Sequence, residues 1–156
     1  MHIAIMSDTH RNKNMIDKAC QHIKDADMVI HLGDNVEDVN EIKTKYHGEI
    51  ISVTGNCDFM TTIPLERIEI IEGKTFFITH GHEYGIKYDL NRLKYRAMEV
   101  NADIALFGHT HMPFIADELG ILFINPGSVS LSRKGPNSLA FIDINDSKIS
   151  ASIKNI

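Results

Sequence analysis

The stretch Ile104-Ala105-Leu106-Phe107-Gly108-His109-Thr110-His111 sets the reading of the chain. Four apolar residues without a turn former read as a buried strand, and two histidines follow directly at its end. In extended backbone, residues i and i+2 project to the same side. His109 and His111 are therefore expected to leave the strand together and present two imidazoles to one point. Convergent imidazoles point to a metal ion. In isolation, a His-x-His after a strand is better explained as a pair of surface histidines.

The rest of the chain changes that weighting, because the same order of apolar run and ligand-type residues recurs four times. Ile3-Ala4-Ile5-Met6 leads into Asp8-Thr9-His10, and Met28-Val29-Ile30 leads through His31-Leu32 into Gly33-Asp34. Ile50-Ile51-Ser52-Val53 leads into Gly55-Asn56, and Phe76-Phe77-Ile78 leads into His80-Gly81-His82. Open α/β sheets bind ligands in the crevice outside the carboxyl ends of their strands, so five such ends are expected to meet in one site.

At 156 residues the chain reads as one domain, 1–156, large enough to bury a continuous core. A hydrophobic content of 43% beside 24% charged residues matches an ordinary globular protein and argues against a disordered chain. Cys20 and Cys57 make no disulfide framework, and Asp8 and His10 interrupt the N-terminal apolar segment too early for a signal peptide. A cytoplasmic location is the default expectation. No apolar stretch is long enough to span a bilayer, so no membrane partner is expected. The net charge of -5 disfavours a broad nucleic-acid footprint but leaves small anionic substrates open, because bound cations would make the site itself positive. Homo-oligomerisation is left open.

Taken in order, a strand over about 2–7 leads to a helix over about 14–24, with Met15, Ile16, Ala19, Cys20 and Ile23 at helical spacing on one face. This places Cys20 in the core. A second strand over 27–32 contains His31, read as structural or as a support behind the ligands, and Asn35 is expected to cap a helix carrying Val36, Val39 and Ile42. The third strand delivers Gly55-Asn56-Cys57-Asp58, completing a β-α-β-α-β pattern that implies parallel pairing. After Pro64, two strand-like runs joined by Glu72-Gly73-Lys74 read as a hairpin. Asp89 is the expected N-cap of a helix to about Val100 with Leu90, Leu93, Ala97 and Val100 inward. Two more hairpins turn at Glu118-Leu119-Gly120 and Asn145-Asp146-Ser147. The long polar loop 127–137 is expected to be mobile surface or a wall of the site. Many strands beside only three helices imply an α/β fold of two stacked mixed β-sheets, a β-sandwich, flanked by helices.

Asp8, His10, Asp34, Asn56, His80, His109 and His111 offer oxygen and imidazole nitrogen but no thiolate, which suits Mn, Fe, Ni or Zn in a catalytic rather than a structural setting. Seven ligands exceed what one such ion takes. Two divalent transition-metal ions sharing a bridging carboxylate would use them all, and ion pairs roughly 3.5–4 Å apart form a hydrolytic clamp. Two aspartates against four positive charges leave the site cationic, favouring a hydroxide nucleophile and an anionic phosphate ester.

In this order, Asp8-x-His10, Gly33-Asp34, Gly55-Asn56, His80 and Gly108-His109-x-His111 closely resemble the five-block signature of the calcineurin-like binuclear metallophosphoesterases. Thr79-His80-Gly81-His82 and Ile124-Asn125-Pro126-Gly127-Ser128 further resemble its small stand-alone prokaryotic phosphodiesterases. The resemblance covers residues 3 to about 130 and implies a metallophosphoesterase-like β-sandwich flanked by helices. It also implies that Asp8, His10, Asp34 and His111 hold one ion, and that Asp34, Asn56, His80 and His109 hold the other, with Asp34 bridging. Of the suitable metals, Mn is the first expectation, with Ni, Fe or Zn as alternatives.

One position departs from the pattern. In many relatives the residue after the asparagine is a histidine that helps protonate the leaving group, and here it is Cys57. A thiol is a poor substitute, so Asp58, His82 or bulk water would do that work. Cys57 is read as packing, and Arg133 and Lys134 as solvated loop charges. Asp34, Asn56 and His82 are the candidate catalytic residues. The expected function is phosphodiester hydrolysis by a metal-bridging hydroxide acting on a small phosphate ester. The alternatives are a phosphomonoesterase, a nucleotide pyrophosphatase, or a protein-binding scaffold like the retromer subunit of similar fold.

Overall fold

Alternation along the strands sets the layers in the computed structural model, which describes residues 1–146 and 148–156. The first strand, β1 (His2–Met6), turns Ile3 and Ile5 toward a core shared between two sheets and Ala4 and Met6 toward helices. The period of two produces two apolar faces because a parallel strand inside an α/β fold is covered on both sides. β2 (Met28–His31) and β3 (Glu49–Ser52) pair with it in parallel register, Ile5 opposite Ile30 and Ile30 opposite Ile51.

Between β1 and β2, helix α1 (Lys13–His22) begins where the Asn12 side chain accepts the Met15 N–H at 3.2 Å. It buries Ile16, Ala19 and Cys20, with Ile23 just beyond, against the outer face of the sheet. The expected capping of the next helix by Asn35 does not occur. Asn35 is left-handed (φ 71), whereas an N-cap needs extended backbone, and its side chain makes no cap bond. The chain enters a 3₁₀ turn over Val36–Asp38 before the short helix α2 (Val39–Lys43), where Val39 and Ile42 are buried as expected.

The second half builds the other sheet. β4 (Glu66–Ile71) and β5 (Lys74–Thr79) form the expected hairpin, and α3 (Asn91–Glu99) buries Leu93 and Ala97 against it, with Leu90 and Val100 packed alongside. Asp89 stands one position before the N-cap, held by Leu90, yet its carboxylate accepts the Asn91 N–H at 2.8 Å. β6 (Ile104–Leu106) lies parallel to β5 and to β8 (Ile121–Pro126), and β7 (Pro113–Glu118) closes that edge against β8. β9 (Ser138–Asn145) and β10 (Lys148–Asn155) form the last hairpin; Ser147 of its turn lies outside the described residues.

Among the described residues the strand orders are β10-β9-β1-β2-β3 and β4-β5-β6-β8-β7, two five-stranded mixed sheets. Ile3, Ile5, Ile30 and Ile51 of one meet Phe76, Ile78, Leu106 and Ile124 of the other, while Phe77, Ala105 and Phe123 face α3. The expected β-sandwich flanked by helices is the fold. Parallel pairing of β1, β2 and β3 in one sheet, and of β5 and β6 in the other, lines up their carboxyl ends within each sheet.

Candidate metal centre

Every predicted ligand sits in a loop that leaves one of those ends, and backbone hydrogen bonds tie the loops together. The Asp8 N–H donates to Gly33 O at 3.1 Å, and the Gly108 N–H to His80 O at 3.0 Å. The glycines of the motifs are steric necessities. A Cβ on Gly55 would lie 2.2 Å from Asp34 Oδ1, and one on Gly108 would lie 2.1 Å from Ser7 Oγ.

These loops are not extended. Asp8 (φ 56), His10 (φ 46), Asp34 (φ 59), His109 (φ 62) and His111 (φ 58) all occupy the left-handed region, which L side chains adopt at some cost. β6 ends at Leu106, so the expectation that His109 and His111 leave one strand side by side toward a single point is wrong. Each turns separately, and they join different groups. Ligand atoms of Asp8, His10, Asp34 and His111 lie within 4.8 Å of one another, as do those of Asp34, His80 and His109. Asp34 belongs to both. Its Oδ2 is 3.8 Å from His10 Nε2 and its Oδ1 is 3.4 Å from His80 Nε2, so its two oxygens face the two groups.

The chemistry of the donor set fits cations. His80 Nδ1 donates to Leu32 O (2.7 Å), which turns the Nε2 lone pair into the centre, where it is buried and, among the described residues, without a partner, as is His10 Nε2. His111 Nδ1 is likewise held by Leu131 O at 2.8 Å, with Nε2 3.0 Å from Asp8 Oδ1. Burial disfavours charge on both partners, but the hydrogen bond and mutual attraction outweigh it, lowering the Asp8 pKa and raising that of His111. Burial, with His80 and Lys87 nearby, depresses His109 to about 4, keeping it a neutral imidazole fit to ligate.

Asn56 lies on the loop after β3, exposed, with its amide donating to Cys57 Sγ at 3.5 Å. The next N–H, that of Cys57, donates to Asp34 Oδ1 at 2.9 Å, so this loop abuts the shared aspartate.

The hydrogen bonds by which Asp58 and Asn125 support the ligand loops were not read from the sequence, whereas loop 127–137 was expected as a wall of the site. Asp58 accepts N–H bonds from Asp34 (3.0 Å) and Gly55 (2.8 Å) on Oδ2 and from Val36 (2.8 Å) on Oδ1, clasping two ligand loops together. Asn125 is fully buried. It donates to Gly108 O (2.7 Å) and Thr110 Oγ1 (3.1 Å) and accepts from the Gly127 N–H (2.9 Å), fixing the loop of His109 and His111. Ser128 and Ser130 both donate to Asp8 O, which makes loop 127–137 a wall of the site. The available signal was Asn125-Pro126-Gly127-Ser128, which runs from the end of the apolar strand β8 into the following loop.

Two cation-ready groups share one carboxylate, an arrangement that fits a pair of divalent ions. The chain matches the calcineurin-like phosphoesterase superfamily domain over residues 1–147. It belongs to that family. A probable metallophosphoesterase of Bacillus subtilis, YsnB, is 35% identical over 136 residues, covering 85% of this chain and 78% of the relative. A phosphodiesterase of Methanocaldococcus jannaschii is 30% identical over 161 residues, covering 92% and 93%. Among solved structures, a predicted phosphoesterase of Streptococcus pneumoniae aligns with TM-score 0.84 at 30% identity, covering 99% of this chain and 88% of that one. Vps29 of Entamoeba histolytica complexed with zinc aligns with TM-score 0.79 at 21% identity, covering 100% and 98%, a likeness of fold alone.

In this calcineurin-like chain, burial and the nearby Asp34 carboxylate push the Cys57 thiol up to about 11. It is an even weaker acid than an ordinary thiol. Asp58 is turned to backbone amides, as described above. His82 stands beside the second group, its ring 5.4 Å from that of His80 and 6.1 Å from that of His109, with a buried Nδ1 that has no partner among the described residues. Burial, then His80, lowers its pKa. His31 is structural: Nδ1 accepts the Gly33 N–H and Nε2 donates to Thr9 Oγ1, both at 3.2 Å, bridging the Asp8 and Asp34 loops. Cys20 and Cys57 are both free thiols, and Arg133 and Lys134 are exposed.

Proposed function

We propose that residues 1–156 act as one metallophosphoesterase domain hydrolysing small phosphate diesters with two divalent ions, manganese foremost. The observation that carries this reading is the Asp34 carboxylate with one oxygen toward His10 and the other toward His80. Asp8, His10, Asp34 and His111 would hold one ion, and Asp34, Asn56, His80 and His109 the other. When bound, such an ion pair supplies Lewis-acid charge for the phosphoryl oxygens and a water-derived nucleophile for in-line attack on phosphorus.

The chain's own residues do the rest. Leu32 O and Leu131 O fix the ring tautomers of His80 and His111, and the Cys57 N–H fixes the Asp34 carboxylate. His82, beside His80 and His109, is the imidazole we assign to moving a proton at the leaving oxygen. Diesters are favoured over monoesters because the relative from Methanocaldococcus jannaschii, alike over nearly its whole length, is named a phosphodiesterase.

The test is metal analysis of the purified protein beside a hydrolysis screen of diesters, monoesters and nucleotides, before and after chelation. About two ions per chain and chelator-sensitive diester hydrolysis support the reading. Full activity in chelated protein would overturn it.

A further inference from the structure

Edge strands expose an unpaired row of backbone groups, and proteins usually guard them with Lys, Pro or short length. Among the described residues, the edge strand β10 presents Lys148, Ser150, Ser152 and Lys154 to solvent, and the edge strand β7 opens on Pro113. β4, at the edge of the second sheet, carries neither Lys nor Pro. Its Ile68 and Ile70 are instead 48% and 77% exposed. The period of two places them on one face with Glu66, whose carboxylate Arg96 of α3 holds at 2.6 Å, while Arg67 and Glu69 share the other face and bond each other at 2.7 Å. The hairpin fixes which backbone groups are open. Glu72 (φ 50) and Gly73 (φ 72) form a two-residue turn that closes on Ile71 and Lys74 as a hydrogen-bonded pair. Antiparallel alternation from that pair turns the N–H and C=O of Ile70, Ile68 and Glu66 away from β5. They meet no other backbone among the described residues.

The sequence of this edge complements itself in one register. For two copies paired antiparallel about a twofold axis, an axis at Glu66, Arg67 or Glu69 would set like charges directly opposite each other, which is unfavourable. An axis at Ile70 would run the pairing into the Glu72-Gly73 turn, and an axis between two residues would set outward backbone groups opposite inward ones. An axis at Ile68 meets none of these obstacles. It sets Ile68 against its own copy and Arg67 against Glu69 on both sides of the axis, so opposite charges face each other across the strands. Glu66 then stands opposite Ile70, and all three of these residues have the outward N–H and C=O that such pairs exchange. Ile70 lies diagonal to the second copy's Ile68 on the same face, so four exposed isoleucines gather around the axis and leave water.

We propose that β4 is a docking edge for a second copy of this chain, paired antiparallel about a twofold axis at Ile68 so that two five-stranded sheets continue into one. Each copy uses the same edge, so the contact closes as a dimer rather than growing into a filament. Sedimentation velocity tests the association and crosslinking tests its register. At about 100 µM the parent protein should sediment with twice the mass of one chain, since even a pair with a Kd on the order of 10 µM is mostly associated there. Ile68→Lys, which sets two ammonium groups face to face at the axis, should raise that Kd at least about 10-fold, whereas Tyr95→Ala, at a 72% exposed position on α3, should leave it unchanged. For the register, cysteine is placed at Ile68 or at Ile70 in a Cys57→Ala background and the protein is oxidised. Opposed residues stand roughly 5.5 Å apart at Cα, within disulfide reach, so Ile68→Cys should crosslink to its own copy. Ile70→Cys should not, because its copy lies four residues, roughly 13 Å, along the ladder. A parent that is monomeric at that concentration, association that Ile68→Lys leaves intact, or crosslinking through Ile70→Cys in place of Ile68→Cys overturns the proposal. A monomeric parent whose β4 instead takes up an extended segment of another protein would overturn it equally. Should Ile68→Lys fail to fold, the cysteine pair still decides.

Discussion

Gly55→Ala tests whether close approach of two loops fixes the shared carboxylate. The added methyl would lie 2.2 Å from Asp34 Oδ1 and 2.4 Å from Asp34 N, where ordinary contact begins near 3.4 Å, so Asp34 must move by about 1 Å. Gly55 is not among the residues of positive φ, so the perturbation is steric rather than conformational. Moving Asp34 strains the Cys57 N–H bond to Oδ1 and both amide bonds that Asp58 accepts from Asp34 and Gly55. Overpacking of this kind costs about 1–3 kcal/mol, which for a chain of this size lowers Tm by roughly 2–12 °C. Because Asp34 belongs to both ligand groups, affinity for both ions should fall by at least the roughly 10–100-fold seen when support of a ligand is lost. Thermal unfolding of chelated protein reads the first effect, and manganese titration with stoichiometry by elemental analysis reads the second. A variant that melts within about 1 °C of the parent and binds two ions with unchanged affinity refutes the reasoning.

Asp34→Asn should lower the bound metal from about two ions per chain toward one or none, whereas His109→Ala should impair only one site; near-normal metal and turnover in Asp34→Asn would sink the bridging assignment. Asn125→Ala strips two donated bonds and one accepted bond inside the core, and with each unsatisfied group costing about 1–3 kcal/mol it should cut both stability and activity, checked by denaturant unfolding. Cys57→His should raise rates most for esters with poor leaving groups, by up to roughly 10²–10⁴-fold, while Cys57→Ala changes little; a large loss in Cys57→Ala with metal content intact would give the thiol a catalytic part. Burial holds His31 at about 4 in the fold against 6.5 ordinarily, so the unfolded chain binds the proton first. Its contribution is complete above pH 6.5 and is lost as pH falls to 4, about 3 kcal/mol in all, and His31→Gln should flatten the pH dependence of stability across that window.

The seven predicted ligands were legible because their grammar is local. An apolar run such as Ile3–Met6 or Ile104–Leu106 can only be a buried strand, and a residue type that binds metal at its end needs no distant information to be recognised. The same locality revealed the two-faced strands, the inward stripe of α1 and the hairpin at Gly73. It failed where a conformation depends on neighbours remote in sequence. His109 and His111 look alike along an extended chain, yet hydrogen bonds from Asn125 hold their loop in left-handed turns that send each to a different group. Asn35 has the composition of a cap, but the Asp34 loop is clasped by Asp58 from the far side of β3, and the backbone that results is not one an N-cap can use. The sequence by itself determined which residues are candidate ligands and that strand ends present them. Only the tertiary structure decided the left-handed turns by which His111 joins Asp8 and His10 while His109 joins His80, because those turns rest on contacts between segments whose separation along the chain carries no trace of their distance in space.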